Sequence, residues 1–454
     1  MSARQVVILD GRRAADEDLA PMLAILIDEL KSEGAEVRTF NLRESRIASC
    51  IGCFGCWVQT PGTCVLDDAG REIAGWIIRS DLTILFTSVT FGGYSSELKK
   101  MVDRWIPLTL PYFNKCHSEI HHRPRYSRYP KIVGIGVQRE LNETEASIFR
   151  TLVGRNALNL HAPSYAAEVF LSTDNPDRIR QRFRTVLSNS DSFPLGKSLT
   201  ALQPAPGITA ARAESTGNRR ALLIVGSPKI KQPSTSGVLG NYLLERLKER
   251  GWETESVTLR PKLHHEKGQS EFMSAVKRAG LLLFAFPLYV DALPSLMTKA
   301  LEVIADHRKA FDEVEQQRLA VVCNNGFPEA HQNILALAIC HQFALQNGIA
   351  WAGGLAMGAG EALSSGQSLT AKARAGRPTV RHVTRALDIA AAALAEGRPL
   401  PGEAIAMIAR NPIPLVPSAV WHWMFVHFGS KGWQKQAAEN GVSKERMTAK
   451  PYAE

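Results

Sequence analysis

The sequence contains neither a long apolar run nor a secretory leader. No stretch of about eighteen apolar residues occurs, so we expect no membrane span. The first apolar stretch, 6–9, is too short for the h-region of a signal peptide and is followed by Asp10. We therefore expect a cytoplasmic protein whose seven cysteines stay reduced, which favours metal or redox chemistry over disulfides.

The sequence also lacks the charge pattern of a nucleic-acid-binding protein. Lysine and arginine outnumber the acids by 54 to 44, a net charge of +10, yet they form no basic stripe with interleaved aromatic residues outside one loop. That loop, 115–131, is open to two interpretations, a solvated insertion or a site for a nucleotide phosphate or anionic partner. The diffuse positive charge suits small anionic ligands such as phosphates, and we expect no nucleic-acid partner.

Strand and helix patterns alternate through the first half of the chain. Strand patterns lie at 6–9, 36–41, 82–86, 131–137 and 167–171. Helix patterns follow them at 19–30, 67–78, 95–105, 144–158 and 177–187. The order βαβαβαβαβα predicts a doubly wound parallel sheet.

The same alternation restarts after a stretch that lacks it. Residues 196–218, rich in proline and small residues, predict a linker. Strand patterns then lie at 221–225, 253–258, 281–286, 319–323 and 350–357, with helix patterns between them and at 381–396. We predict two tandem α/β domains, 1–195 and 219–398, each a five-stranded doubly wound parallel sheet, and a helical, aromatic-rich tail at 399–454.

Four of the seven cysteines form the most distinctive motif of the chain. They follow the spacing Cys50-x2-Cys53-x2-Cys56-x7-Cys64, with a glycine directly before the second and the third. Thiolates so spaced converge on one point, because a turn containing glycine lets backbone N–H groups approach the sulfurs. Three interpretations stay open: a [4Fe–4S] cluster, a zinc site, or reduced thiols without a metal.

Small hydroxyl residues follow the first strand pattern of the second half. Ligands of open α/β sheets bind beyond the carboxyl ends of the strands, so residues at this position are candidate contacts. Hydroxyls and unbonded N–H groups at a helix N-terminus form a phosphate cradle, and an ordinary N-capped helix is the alternative. The candidates are Ser227, Lys229, Ser234, Thr235 and Ser236.

Two further loops of the second half end at the same edge of the predicted sheet. They follow the strand patterns at 281–286 and 319–323. One loop for a phosphate and two for a flat ring suit flavin mononucleotide (FMN), with Tyr289 a candidate for stacking on the ring. The residues predicted to bind the cofactor here are Pro287, Leu288, Tyr289, Val290, Asp291, Asn325, Gly326 and Phe327.

These motifs resemble those of the flavodoxin-like NAD(P)H-dependent FMN reductases. The first half is similar, more narrowly, to the iron–sulfur flavoprotein branch. That likeness is carried by the cysteine motif, by Asp67-Asp68 and by the segment 87–99 with Asp103-Arg104. In the first half the residues that match the ring-binding loop of the family are Thr87, Ser88, Val89, Thr90, Phe91, Gly92 and Gly93.

The resemblance implies a flavodoxin-like fold with strand order 2-1-3-4-5 and a homodimer. It implies an oxidoreductase that reduces FMN with NAD(P)H and passes electrons to a small-molecule or protein acceptor. The cysteines, if they hold a [4Fe–4S] cluster, would relay single electrons. We identify no catalytic side chain, since the cofactor carries the chemistry. The alternative is a non-catalytic electron-transfer or redox-sensing flavoprotein.

The first half departs from the family pattern in its phosphate loop. The segment 10–18 lacks the usual hydroxyls and places Asp16, Glu17 and Asp18 at the helix start. Carboxylates there favour the helix dipole but repel a phosphate. Flavin binding in the first half is therefore left open, and we expect phosphate binding in the second.

Overall fold

The chain forms two compact units in a computed structural model. The model describes residues 3–205, 217–229, 233–263, 265–310, 316–363, 368–370, 378–411 and 416–453. The first unit comprises Met1–Ser198 together with His422–Glu454, and the second comprises Leu199–Trp421. Of the predicted linker 196–218, residues 206–216 lie outside the described part, and its first residues form the helix Gly196–Ala201.

The first unit is built on a parallel five-stranded sheet. Its strands are β1 (Gln5–Asp10), β2 (Glu36–Asn41), β3 (Leu82–Ser88), β6 (Lys131–Gln138) and β7 (Tyr165–Leu171). They lie in the order β2-β1-β3-β6-β7. The helices are Ala20–Ser32, Gly55–Val58, Ala69–Arg79, Ser96–Val102, Glu143–Asn159 and Pro176–Ser188, with 3-10 turns at Ala14–Leu19 and Asp103–Leu108.

The second unit repeats this plan. Its strands are β8 (Arg220–Val225), β9 (Glu253–Thr258), β10 (Leu281–Pro287), β11 (Arg318–Asn324) and β12 (Ala350–Met357), all parallel. They lie in the order β9-β8-β10-β11-β12. The helices are Thr235–Lys248, Leu259–Leu263, Glu266–Arg278, Ser295–Lys309, Ile334–Gln346, Pro378–Ala395 and Gly402–Ile408, with 3-10 turns at Ala330–Asn333 and Gly360–Leu363.

Both sheets have the strand order 2-1-3-4-5 of the flavodoxin-like doubly wound fold, which confirms the predicted fold class. The central strands β3 and β10 are buried along almost their whole length because helices cover both faces of a parallel sheet. Leu82, Ile84 and Phe86 of β3 are fully buried in the first core, and Leu281 and Leu283 of β10 are buried in the second. In the described part of the chain, no helix is long and apolar enough to cross a bilayer.

An antiparallel hairpin interrupts the alternation of the first unit. It consists of β4 (Thr109–Cys116) and β5 (Glu119–Pro124). The stretch 115–131 therefore belongs to an ordered structure, and a purely solvated insertion is the wrong interpretation for its buried members. Those members are His121, Arg125, Tyr126 and Tyr129.

The segment predicted as a tail, 399–454, is divided between the two units. Leu400 and the helix Gly402–Ile408 pack into the core of the second unit. The helix Ser418–Phe428 follows, and then the helix Lys431–Glu439 and the 3-10 turn Arg446–Thr448 pack on the first unit. Its described residues are predominantly helical.

Candidate functional site

The predicted phosphate cradle lies where β8 meets the helix Thr235–Lys248. Ser234 caps this helix, because its Oγ accepts the backbone N–H of Gly237 at 3.0 Å. The Ser234 and Ser236 hydroxyl oxygens lie 3.2 Å apart, and both residues are buried. Ser227 Oγ accepts the Lys229 N–H at 3.3 Å. Helix N–H groups, a positive dipole end and clustered hydroxyls together suit a phosphate.

The loop after β10 makes a tight reversal with a left-handed backbone. Tyr289 and Ala292 exchange backbone hydrogen bonds of 2.9 and 3.2 Å. Between them Val290 and Asp291 have φ values of 44° and 59°. Two consecutive positive φ angles define a type I′ turn, which glycine, asparagine and aspartate favour and which a β-branched valine rarely adopts. The turn is held in this conformation at a cost of order 1–3 kcal/mol per strained residue, which is typical of ligand-binding loops.

The loop after β11 is tied to its neighbours by backbone hydrogen bonds. Leu288 N–H donates to the Asn324 carbonyl at 2.7 Å, and Asn325 N–H donates to the Met357 carbonyl at 3.0 Å. The N–H of Gly360 donates to the Asn325 carbonyl at 2.8 Å. These bonds hold the ends of β10, β11 and β12 in one layer.

A side-chain contact joins the cradle to this layer. Thr235 Oγ1 donates to the carbonyl of Gly360 at 3.2 Å. The helix start and the three loops therefore meet at the carboxyl edge of the second sheet, and this edge carries all the candidate cofactor residues predicted in the second half. Gly326 is exposed there, and a Cβ on it would meet no atom within 4 Å.

Two buried acceptors at this edge have no hydrogen-bond partner within the described residues. They are the side-chain oxygens Oδ1 of Asn324 and of Asn325. A buried polar atom without a partner costs about 1–3 kcal/mol, and such atoms in folded proteins usually meet water or a ligand. Sequence patterns predicted Asn325 but missed Asn324, whose signal is its position as the last residue of a buried strand.

The first unit repeats the left-handed turn at the same place. Thr90 and Gly93 exchange backbone hydrogen bonds of 2.9 and 2.8 Å, and Phe91 and Gly92 have φ values of 54° and 85°. This turn is packed against the helix Glu143–Asn159, since a Cβ on Gly92 would lie 2.8 Å from Ile148.

The other first-half candidates surround that turn. Thr87 is buried, and its Oγ1 accepts the Ser95 N–H at 3.2 Å. A Cβ on Gly136 would lie 2.7 Å from Val89 Cγ2, so the side chain of Val89 packs on the neighbouring strand. Ser88 Oγ faces the opposite way, toward the loop after β1, where it donates to Asp16 at 2.8 Å.

The loop after β1 is short and filled by carboxylates. Only Gly11, Arg12 and Arg13 separate β1 from the 3-10 turn Ala14–Leu19. The buried Asp16 carboxylate accepts the N–H of Arg13 at 3.0 Å as well as the Ser88 hydroxyl. Asp16 therefore receives the donors that a phosphate would use in this position.

The surrounding charges of this loop are paired. Arg12 forms a two-pronged ion pair with Asp10, at 3.0 and 2.8 Å. Arg139 bonds Asp18 at 2.6 Å, and Arg43 pairs with Glu17. The arginines around this loop are therefore engaged by acids and are not available to neutralise a bound phosphate.

The cysteine loop has a backbone shaped for thiolates. The N–H of Gly52 lies 3.5 Å from Cys50 Sγ, and the N–H of Gly55 lies 3.4 Å from Cys53 Sγ. In iron–sulfur clusters, hydrogen bonds of this kind to the sulfurs help to set the reduction potential. The contacts depend on left-handed backbone at Gly52 and Phe54, with φ of 61° and 53°.

The four thiols differ in exposure but lie near one another. Cys53 is exposed, Cys56 is buried, and Cys50 and Cys64 are intermediate. Burial, and then repulsion from the other three thiols, raises the pKa of Cys56 well above its ordinary value. Within the described residues, however, no three His, Cys, Asp or Glu side chains are gathered closely enough to hold a metal ion.

A buried arginine fastens the two ends of the cysteine loop. Arg104 makes two hydrogen bonds of 2.9 Å to the Asp68 carboxylate and one of 2.9 Å to the carbonyl of Ala48. Asp68 in turn accepts the N–H groups of Ala48 and Gly70, each at 3.0 Å. Burial opposes the charge of Arg104, but the bond to Asp68 and the nearby Cys64 thiol raise its pKa overall.

Sequence comparison places the second unit beside known reductases. Residues 219–350 match the model of the family described as NADPH-dependent FMN reductase. The chain is 28% identical over 108 residues to an iron–sulfur flavoprotein of Methanocaldococcus jannaschii, covering 24% of this chain and 55% of the relative. It is 30% identical over 86 residues to an iron–sulfur flavoprotein of Archaeoglobus fulgidus, covering 19% and 38%. The chain thus spans about half the length of the curated relatives it matches.

Solved structures of low similarity accompany these relatives. A NAD(P)H:quinone oxidoreductase from Methanothermobacter marburgensis is 16% identical, with 42% of this chain and 100% of that chain covered and a TM-score of 0.34. At this TM-score the likeness carries no argument about function. The resemblance to FMN reductases and, in the first half, to iron–sulfur flavoproteins is confirmed by the sequence matches.

Proposed function

We propose that this chain is an NAD(P)H-dependent oxidoreductase that holds FMN at the carboxyl edge of its second sheet. The observation that carries the proposal is the convergence there of three loops and the capped helix Thr235–Lys248, with buried hydroxyls and two amide oxygens that have no hydrogen-bond partner among the described residues. The match of residues 219–350 to FMN reductases supports it independently.

The residues at this edge fit the two parts of FMN. Ser227, Ser234 and Ser236, with the N–H groups of the helix start, would hold the phosphate. The strained turn at Tyr289–Ala292 and the buried acceptors on Asn324 and Asn325 would orient the ring and accept its N–H donors. When bound, FMN supplies two-electron chemistry with NAD(P)H. The chain itself would bind the FMN, orient its ring and exclude water from it.

We propose further that each chain holds one FMN and that the first unit holds none. Asp16 already occupies the loop after β1 and accepts donors from Arg13 and Ser88. A second anion in that place would lie against a buried carboxylate, at a desolvated site where like charges repel strongly. The predicted ring-binding residues of the first half then serve as packing around the turn at Gly92.

The four cysteines suit an iron–sulfur cluster better than zinc. Their compact spacing differs from the two separated Cys-x2-Cys pairs usual in structural zinc sites. The N–H groups aimed at Cys50 and Cys53 and the buried cation Arg104 would stabilise the negative charge of a thiolate-bound cluster. We propose a [4Fe–4S] cluster at Cys50, Cys53, Cys56 and Cys64, which would make the first unit a single-electron relay for the second.

Anaerobic purification tests these assignments. We expect flavin absorbance with one FMN per chain, four iron atoms and four acid-labile sulfides, and steady oxidation of NADH or NADPH with a quinone or free flavin as acceptor. Protein that takes up no added FMN would refute the assignment as an FMN-dependent oxidoreductase. Bound FMN without NAD(P)H turnover would favour an electron carrier or redox sensor, and two FMN per chain would refute the assignment of the first unit. Sedimentation of the same sample in the analytical ultracentrifuge gives its molecular mass and so tests whether the chain forms a homodimer.

A further inference from the structure

The cysteine loop is covered by a segment distant from it in sequence. Residues 431–453, which we name the C-terminal strap, pack on the first unit over this loop. The Trp433 ring lies 5.0 Å from that of Phe54 and 5.2 Å from that of Trp57, centroid to centroid. Phe54 and Trp57 stand on either side of Cys56 in the chain, so the strap contacts the loop at its metal-ligand candidates.

The apolar part of this contact is closely packed. Ala437, Val442 and Met447 of the strap are buried in one cluster with Cys56 and Trp57. Cys56 is itself 7% exposed, whereas Cys53 on the same loop is exposed. Aromatic side chains of this kind each bury about 150–250 Å² and dominate such contacts. The strap therefore covers one side of the loop.

Polar contacts fix the strap in register. Buried Arg125 donates to the carbonyls of Met447 at 3.0 Å and Ala449 at 2.7 Å, as well as to the carbonyls of Pro107 and Thr109. Release of the strap would leave the N–H donors of Arg125 Nη1 without their carbonyl acceptors, whereas Nε and Nη2 would keep theirs.

The end of the strap meets the loop again. The carbonyl of Ala449 and the ring of Pro451 lie against Gly62, where a Cβ would come 2.5 Å from Pro451 Cδ. Gly62 has a φ of 85° and lies between Cys56 and Cys64. The strap thus contacts the loop both beside Cys56 and within the interval between Cys56 and Cys64.

We propose that the C-terminal strap is an integral wall of the cysteine site, and that it shields Cys56 from solvent and oxidants while Cys53 remains accessible. The segment acts as a positioning element, because it contacts Phe54, Trp57 and Gly62 and holds the loop between the thiols. The contacts of the strap involve only the polypeptide, so the shielding of Cys56 does not depend on bound FMN. It adds to the proposed cluster but can be tested on protein that contains neither cofactor.

Cysteine alkylation of the reduced, metal-free full chain is the test. Iodoacetamide labelling, mapped by mass spectrometry, should modify Cys53 rapidly and Cys56 slowly. In Trp433→Ala the labelling of Cys56 should accelerate roughly 10- to 100-fold, because a local opening that exposes the loop becomes easier. The matched control is Trp423→Ala, which removes a tryptophan that is 54% exposed in the preceding helix.

Two buried cysteines report on the integrity of the second unit, and urea denaturation followed by tryptophan fluorescence reports on the whole chain. Cys323 and Cys340 should stay unlabelled in both tryptophan variants. If Trp433→Ala unfolds the protein, the milder Met447→Ala decides, since it opens the same cluster by deleting one side chain. Unchanged Cys56 labelling in a folded strap variant would overturn the proposal. Loss of FMN binding with a normal labelling pattern would count against the proposed function alone.

Discussion

Replacement of Ser234 separates its two roles, the capping of a helix and the proposed binding of the FMN phosphate. Its hydroxyl caps the helix Thr235–Lys248 through the N–H of Gly237 and lies beside the hydroxyl of Ser236. Glycine at an N-cap is only a few tenths of a kcal/mol less stabilising than serine, whereas alanine costs about 1 kcal/mol. Ser234→Gly therefore removes the hydroxyl with little effect on the helix.

The expected loss of affinity follows from the charge of the phosphate. A hydrogen bond to a charged group contributes about 1.5–3 kcal/mol, because the charge of the acceptor strengthens the bond. The Kd for FMN should then rise roughly 10- to 150-fold in Ser234→Gly, since each 1.4 kcal/mol is a factor of ten. Without FMN, the free energy of unfolding should fall by only a few tenths of a kcal/mol.

Two measurements on the same samples check this reasoning. Titration of apoprotein with FMN, followed by flavin fluorescence, gives the Kd, and urea denaturation without FMN gives the free energy of unfolding. Ser234→Thr, which keeps a hydroxyl, is the matched control and should bind FMN within a few-fold of wild type. An unchanged Kd in Ser234→Gly would refute the phosphate assignment, and a weakened Kd in Ser234→Thr as large as that in Ser234→Gly would indicate a packing effect.

Three further predictions concern stability. Arg104→Met leaves the Asp68 carboxylate without its buried partner, and urea denaturation should show a loss of roughly 3–5 kcal/mol. Burial lowers the pKa of His122 to about 3, below its unfolded value of about 6.5. The contribution of neutral His122 to the free energy of unfolding should thus be fully present above pH ~6.5 and fall as the pH drops toward 3, by up to about 1.4 kcal/mol per pH unit. Urea denaturation at several pH values measures this dependence, and His122→Gln should flatten it. Val290→Asn should raise the free energy of unfolding by about 1 kcal/mol, because asparagine tolerates the left-handed backbone of the turn. An unchanged free energy of unfolding in Val290→Asn would mean that other contacts already offset the strain of the turn.

The alternation of strands and helices could be predicted because these patterns are local, whereas the strand order 2-1-3-4-5 was implied by the family resemblance. Each buried strand is a short apolar run, and the rule that ligands bind at carboxyl ends then pointed to loops that the structure gathers at one edge of the second sheet. The left-handed turn at Val290 and Asp291 escaped this reasoning, since neither residue is a glycine. Its signal is the first-unit copy, Phe91-Gly92, in which a glycine occupies the second position of the same turn.

Other features depended on contacts between residues far apart in sequence. The sequence presents Arg125 as one charge in a basic loop, yet two of its four carbonyl partners lie in the strap. Trp433 was noted as part of an aromatic tail, and no pattern could pair it with Phe54 and Trp57. The acids at the first helix start were predicted to repel a phosphate, but the bond from Ser88 to Asp16 joins two separate loops and required coordinates.

The division of the first unit into two chain segments has a consequence for its assembly. Its final piece, His422–Glu454, leaves the ribosome only after the whole of the second unit has been translated. In a nascent chain Cys56 would therefore lack its cover for the time needed to synthesise the intervening residues. On the proposal above, the strap would close over the cysteine loop only after the second unit has been translated, and products truncated before His422 would carry Cys56 open to damage.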